Sequence, residues 1–430
     1  MSADVAEIST QWFGESDRGG WLYGATVLTP EGRVRECDVA VVAGRIAEIV
    51  PRSRGRRGWD CSGSLIIPGL ANAHFHGAST LLRGLNTGLQ LADWGNESPA
   101  GREQQRLFDW LDEQASEQDV RTLAAYEYLA QLRQGVTFVA DDGLAEGRAQ
   151  SLAAAIDDVG IRGVVNAYEQ AAELVVADPD RYLAALPNED ELTAGSLAEA
   201  VTFAGQLESA RLATHCLETH ARREKVHSGF GRSTIQVLAD AGLLRRGTVL
   251  YHCVHTEDAD LELLAACGTA VVHCPVSNLF GGDIAKTSHW HQYGLTTGIG
   301  TDFARTDLWD AVRLAYLLLR KQAGPAASAI DVLGWATEGG QKAYGYADRG
   351  RVEPGAAADL VMLDLSALMP IVDKPELSTA AYAVLADTRP SCVRHVMIAG
   401  RPVLVDGQPA AVDAAAVARR RHEVVRRACG

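Results

Sequence analysis

The sequence predicts an α/β protein, a (β/α)8 TIM barrel joined to a small composite β-sandwich domain built from both chain ends. Three observations predict it. Between about residues 69 and 349, β-rich runs alternate with alanine- and leucine-rich helical stretches, the pattern of repeated βα units over a parallel sheet. That span is near the roughly 250 residues such a barrel occupies. Towards the two ends, short β segments share one style of turn, Ala43-Gly44-Arg45 in the first and Ala399-Gly400-Arg401 in the second.

Taken in order, "WLYGATVLTPEGRVRECDVAVVAGRIAEIV" breaks at Pro30-Glu31-Gly32 and at Ala43-Gly44, so residues 1–68 read as the first part of the β domain. Eight barrel strands are expected at 65–76, 136–141, 161–167, 181–186, 213–218, 248–254, 270–274 and 295–302, within a barrel domain of 69–349. An open doubly wound sheet is the structural rival, but no G-x-G-x-x-G follows a first strand. The connection between the third and fourth strands is brief, about 14 residues. Residues 350–410, with "VRHVMIAGRPVLVDGQP", return to the β domain, and 411–430 read as a basic amphipathic closing helix packed on the surface.

Composition narrows the partners. The chain has 430 residues and a formal net charge of -15, which argues against nucleic acid or an anionic membrane as partner and for a small-molecule or modified-peptide substrate. No uncharged apolar run approaches the ~18 residues of a membrane span. Eight scattered cysteines without a C-x-x-C pair, and an acidic N-terminus without signal-peptide features, lead us to expect a cytoplasmic enzyme, with room for a homodimer.

Polar groups that would be costly in a core collect at the ends of the expected strands: His74 and His76 on the first, His215 and Glu218 on the fifth, His252 on the sixth, and Asp302 on the eighth. Residues i and i+2 of a strand share a face, so His74 and His76 project together. A His-x-His pair alone more often serves ordinary polar packing. Three histidines and a carboxylate converging on the carboxyl-terminal rim make a nitrogen and oxygen site suited to Zn2+ or Fe2+.

With these residues in place the chain resembles the amidohydrolase superfamily, in the branch of s-triazine hydrolases, guanine deaminase and S-adenosylhomocysteine deaminase. The matching phrases are "IIPGLANAHFHGASTLLRG", "THCLETH", "YHCVH", "VVHCPVSNL", "GIGTDFARTD" and "RVEPGAAADLVMLDL" followed by "VRHVMIAGRPVLVDG". The resemblance implies that His74, His76, His215 and Asp302 bind one divalent metal ion, with Zn2+ the first choice and Fe2+ the second. It also implies that Asp302 accepts a proton from the attacking water, that His252 polarises the carbon under attack or stabilises the oxygen anion that forms, and that Glu218 delivers a proton to the leaving nitrogen. Two-metal members bridge their ions with a carbamylated lysine after the fourth strand. Here the first lysine is Lys225, beyond the fifth, so one ion is expected unless Glu169 or Glu189 serves as the bridge.

Two phrases depart from the branch. Its deaminases carry Pro-His-Ala-Pro-Tyr-Thr after the fourth strand and Gly-Ala-Ala-Ser-Asn after the metal aspartate, where this chain has "PNEDELT" (187–193) and "FARTDLW" (303–309). We expect a more open site and substrate contacts from Arg305 and Asp307, for which a salt bridge is the equal alternative, from Glu189, and from His273, which reads equally as a core residue. These departures favour a tailoring amidohydrolase that cleaves an amide in a peptide or secondary metabolite, as in bottromycin-type peptide pathways. The alternative is an aminohydrolase of a purine, pterin or triazine, and a remote one is a non-catalytic barrel that keeps its metal site.

Overall fold

The computed structural model describes residues 19–430 apart from 56, 86–90, 92–93, 95, 145–146, 169–170, 208–209, 369–370 and 372–378. The chain opens with β1 (Gly20–Leu28), β2 (Val34–Val42), β3 (Arg45–Pro51), β4 (Trp59–Asp60) and β5 (Ser64–Pro68). It continues through β6 (Leu70–Phe75), β7 (Val136–Asp141), β8 (Arg162–Asn166), β9 (Tyr182–Ala185), β10 (Leu212–Cys216), β11 (Thr248–His252), β12 (Ala270–His273) and β13 (Thr297–Ile299). It returns with β14 (Leu360–Asp364), β15 (Val393–Ile398), β16 (Arg401–Val405) and β17 (Gln408–Pro409).

Strands β6 to β13 pair side by side in chain order as one parallel sheet with helices between them. Every one of them lies on an expected run. The run 65–76, however, is two strands in two sheets: β5 pairs with β14 and β1, whereas β6 pairs with β7. The crossing falls at Pro68-Gly69, where proline has no N–H for a ladder and a Cβ on Gly69 would lie 2.2 Å from Thr137 Oγ1. Alternation then sorts the apolar residues, with Ile66 packed in the small core among Leu22, Val39 and Met362, and Leu65 and Ile67 in the main core.

The strands from the two chain ends join into one hydrogen-bonded sheet, β17-β16-β15-β14-β5-β1-β2-β3, with β4 beside β1. The matching turns are two-residue hairpins with φ of 49° and 76° at Ala43-Gly44 and 49° and 73° at Ala399-Gly400, the left-handed values that a tight hairpin requires. They also meet, since a Cβ on Gly44 would lie 2.9 Å from the carbonyl oxygen of Ala399. Asp359, 1% exposed, ties this sheet to the barrel by pairing with Arg162 of β8 at 3.0 Å and accepting the N–H of Ala399 at 2.7 Å.

The barrel closes through a single parallel bridge between Phe75 and Asp302, with the Asp302 N–H donating to His74 O at 3.0 Å. Gly300 makes this approach possible, because a Cβ there would sit 2.7 Å from both Cβ and the carbonyl oxygen of His74. Gly300→Ala is expected to destabilise the protein by about 1–3 kcal/mol, the usual cost of overpacking, measured as a shift in the denaturant midpoint. The closing helix, Ala414–Cys429, lies against the helix Glu117–Leu132, with Arg427 paired to Asp119 at 2.5 Å and Arg421 over the Tyr126 ring at 4.4 Å. Among the described residues no helix is long and apolar enough to cross a membrane.

Candidate metal centre

The carboxyl ends of the barrel strands bring the expected polar groups to one point. His74 and His76 share a face as alternation requires, and their Nε2 atoms lie 3.1 and 3.2 Å from the same Asp302 Oδ1. His215 of β10 and His252 at the end of β11 complete the group, with ring centroids 5.0 and 5.6 Å from that of His74. Backbone strain accompanies this convergence: His252 and Asp302 take φ of 69° and 59°, left-handed values that are uncommon for non-glycine residues.

Three of the four rings are tethered through the nitrogen turned away from the cluster. His76 Nδ1 pairs with Gly143 O at 2.7 Å, His215 Nδ1 with Asn188 Oδ1 at 3.0 Å, and His252 Nδ1 with Asn278 Oδ1 at 2.9 Å. Such tethers fix ring orientation in metal-binding histidines. His74 instead stacks on Tyr251 at 3.8 Å. The inner nitrogens His74 Nε2 and His252 Nε2 are buried without a hydrogen-bond partner among the described residues, the first 3.1 Å from Asp302 but off line, the second 3.9 Å from it and too far. The ligand atoms of His74, His215, His252 and Asp302 all lie within 4.8 Å of one another, and so do those of His74, His76, Asp142 and His215. Buried nitrogens without a proper partner, grouped around a carboxylate, fit a bound cation.

Electrostatics agree. Burial opposes ionisation of Asp302, yet the imidazoles of His74 and His76 hold it well below the usual carboxylate range. Burial likewise pulls His76 down, but Asp302 overrides it and raises the ring to about 9. Burial keeps His74 low, and burial with the neighbouring rings keeps His215 well below its ordinary value, so both present lone pairs.

With this geometry in hand, comparison with known proteins is decisive: a sequence model of the amidohydrolase family matches residues 65–403. The chain belongs to the amidohydrolase family. It is 32% identical over 443 residues to a 5-methylthioadenosine/S-adenosylhomocysteine deaminase of Natronomonas pharaonis, covering 95% of this chain and 99% of that one. An adenosine deaminase of Xanthomonas campestris with bound zinc superposes with a TM-score of 0.83 at 25% identity, covering 95% and 98% of the two chains. Zinc-bound atrazine chlorohydrolase of Arthrobacter aurescens, at 20% identity, shares the fold with a TM-score of 0.82 over 94% of this chain and 99% of that one. This amidohydrolase is therefore a metal-dependent hydrolase of carbon–nitrogen bonds.

The remaining expected residues divide. Glu218 lines the cleft above the cluster, 3.8 Å from His252 Nε2, and is held by Arg222 at 2.5 Å. Glu189 is a correction: it is 1% exposed, and its carboxyl accepts from the Thr234 hydroxyl, so it is turned away from the cleft while its neighbour Asn188 faces in. His273 lies fully buried behind the site against Trp290, the core placement that is one of its two readings, and burial beside His252 lowers it to about 3. Asp307 caps the helix Leu308–Ala323 by accepting the Asp310 N–H at 3.1 Å. Arg305 is exposed and lies over the ring of the cleft-lining Phe280 at 4.4 Å, without itself lining the cleft. Glu169 lies outside the described residues.

Each departing phrase thus lends the cleft only its opening residues, Asn188 from one and Phe303 from the other. Sequence reasoning missed Asp142, Asn188, Arg222 and Asn278. Arg222 had a signal, since it stands four residues after Glu218 at the start of a helix. A larger cavity of about 420 Å3 opens at the other end of the barrel, beside Leu70 and Thr297 where β6 and β13 begin, away from this cluster.

Proposed function

We propose that this protein is a hydrolytic deaminase that removes an exocyclic amino group from an N-heterocycle, with purine nucleosides of the 5-methylthioadenosine and S-adenosylhomocysteine type as the first substrates to assay. One observation carries the reading: His252 Nε2 sits between two carboxylates, 3.8 Å from Glu218 and 3.9 Å from Asp302, and both of these line a cleft of about 260 Å3. That volume falls near the lower end of small-molecule pockets. Trp94, Phe303, Phe280 and Leu144 supply apolar walls suited to a flat ring.

His74, His76, His215 and Asp302 would hold one divalent ion. The two ligand groups share His74 and His215, and an imidazole nitrogen has one lone pair to give, which supports one ion over two. Nitrogen and oxygen donors, together with zinc in the Xanthomonas relative, favour Zn2+. When bound, the ion supplies Lewis acidity that brings the pKa of water towards ~7. Asp302 accepts the proton as water attacks the ring carbon. His252, oriented by Asn278, stabilises the charge that develops there. Glu218, aligned by Arg222, carries a proton to the departing nitrogen, which leaves as ammonia.

A peptide-tailoring role, expected from the departing phrases, has less support: the similar curated proteins are deaminases, and the described cleft is small. Ammonia release should be measured on adenosine, 5-methylthioadenosine, S-adenosylhomocysteine, pterins and triazines, beside modified-peptide amides. Turnover is expected on one heterocycle class. Cleavage of a peptide amide with no ammonia from any heterocycle would reverse the assignment.

A further inference from the structure

Asp142 follows β7 and is 2% exposed. Its N–H donates to Phe75 O at 2.7 Å, which draws it against the end of β6 between His74 and His76. The preceding Asp141 is already engaged on the opposite side, accepting the N–H groups of Gly77 and Gly143 at 2.8 and 2.7 Å and the Tyr128 hydroxyl. Alternation therefore turns Asp142 inward, and its Oδ2 lies 3.8 Å from His215 Nε2. That separation is too long for a hydrogen bond. It suits two ligands of one ion.

The carboxylate is held from behind. Asn166 Nδ2 donates to Oδ1 at 2.7 Å and the Tyr168 hydroxyl donates to Oδ2 at 2.7 Å, with Tyr168 in a left-handed backbone conformation at φ 40°. Both donors are neutral, and among the described residues no lysine or arginine pairs with Asp142 or Asp302. Two carboxylates buried together need more positive charge than one histidine of the cluster can carry. A divalent cation meets that need.

We propose that Asp142 is a fifth protein ligand of the metal ion, a second carboxylate supplied from the end of β7; this rests on the single-ion reading above. Asp142 lies in one ligand group with His74, His76 and His215, each ligand atom within 4.8 Å of the others. Asn166 and Tyr168 then act as positioning residues. They orient the carboxylate as outer hydrogen bonds orient metal ligands generally.

The test is Asp142→Asn in the full chain, loaded with Zn2+ or Co2+ and compared with the unaltered protein by chelator competition and by the Co2+ visible spectrum. We expect metal affinity to fall by more than the roughly 10- to 100-fold that loss of an outer hydrogen-bond partner costs. The Co2+ bands should intensify as the ligand number drops. Asp142→Ser, assayed in the same way, keeps a polar group for Asn166 and Tyr168 and answers the question should the amide variant not fold. Unchanged affinity and an unchanged Co2+ spectrum, even with lowered thermal stability, would mean a structural hydrogen-bond hub and would overturn the proposal. Failure of the unaltered protein to bind either ion would overturn the single-ion reading and this proposal with it. Binding of two ions would instead refute the ion count alone, and the Asp142→Asn comparison would still decide the ligand question.

Discussion

Glu218→Gln should lower kcat by about 10^2- to 10^4-fold while leaving metal content unchanged. The substitution keeps the shape of the side chain and an acceptor for Arg222, which holds the carboxylate at 2.5 Å from the start of the helix His220–Phe230. What it removes is the ability to carry a proton. Steady-state kinetics with metal analysis of the same preparation separates the two effects. Activity within tenfold of the unaltered enzyme would take Glu218 out of the proton path, and loss of metal would make it part of the cluster.

Asp302→Asn acts on the centre itself. Asp302 Oδ1 is the atom that His74 and His76 both approach, and the residue forms the bridge that closes the barrel. We expect metal binding to weaken by more than the roughly 10- to 100-fold that losing an outer partner costs, with turnover falling in parallel. A pH signature should accompany it in chelator-treated protein. Asp302 raises His76 from 6.5 to about 9, so the stability contributed by that charged ring is fully present below pH 6.5 and lost as pH rises through 9. The shift corresponds to on the order of 3 kcal/mol. The metal-free unaltered protein should therefore lose stability between these pH values, and Asp302→Asn should flatten that decline. Denaturant unfolding at pH 6 and pH 9.5 measures it, and parallel curves for the two proteins would remove Asp302 as the cause.

Particular residues mark how far the sequence could be read. All eight barrel strands were legible because short apolar runs between turn residues are local signals, and the hairpins at Ala43-Gly44 and Ala399-Gly400 were legible for the same reason. The run 65–76 was misread as one strand because its apolar character is continuous across Pro68-Gly69, while the change of sheet depends on where Asp359 and Thr137 lie. Glu189 was misplaced because adjacent residues face opposite ways and only the folded loop decides which faces in. Asp307 in isolation reads equally as a substrate contact or as a salt-bridge partner, and the folded chain uses it instead to cap a helix through the N–H of Asp310.

By itself, then, the sequence determined the succession of βα units, the common face of His74 and His76, and the residue types from which a metal centre could be built. Only the tertiary structure decided which of those residues meet. Asp302 reaches the two histidines through closure of the barrel across more than two hundred residues of chain, and Asp142, Asn188 and Asn278 join the site through the directions that the loops after β7 and β9 and the short helix after β12 take. Periodicity is a property of neighbours along the chain. Convergence depends on how the strands close and on a few strained backbone angles at their ends, as at His252 and Asp302, and no local pattern encodes either.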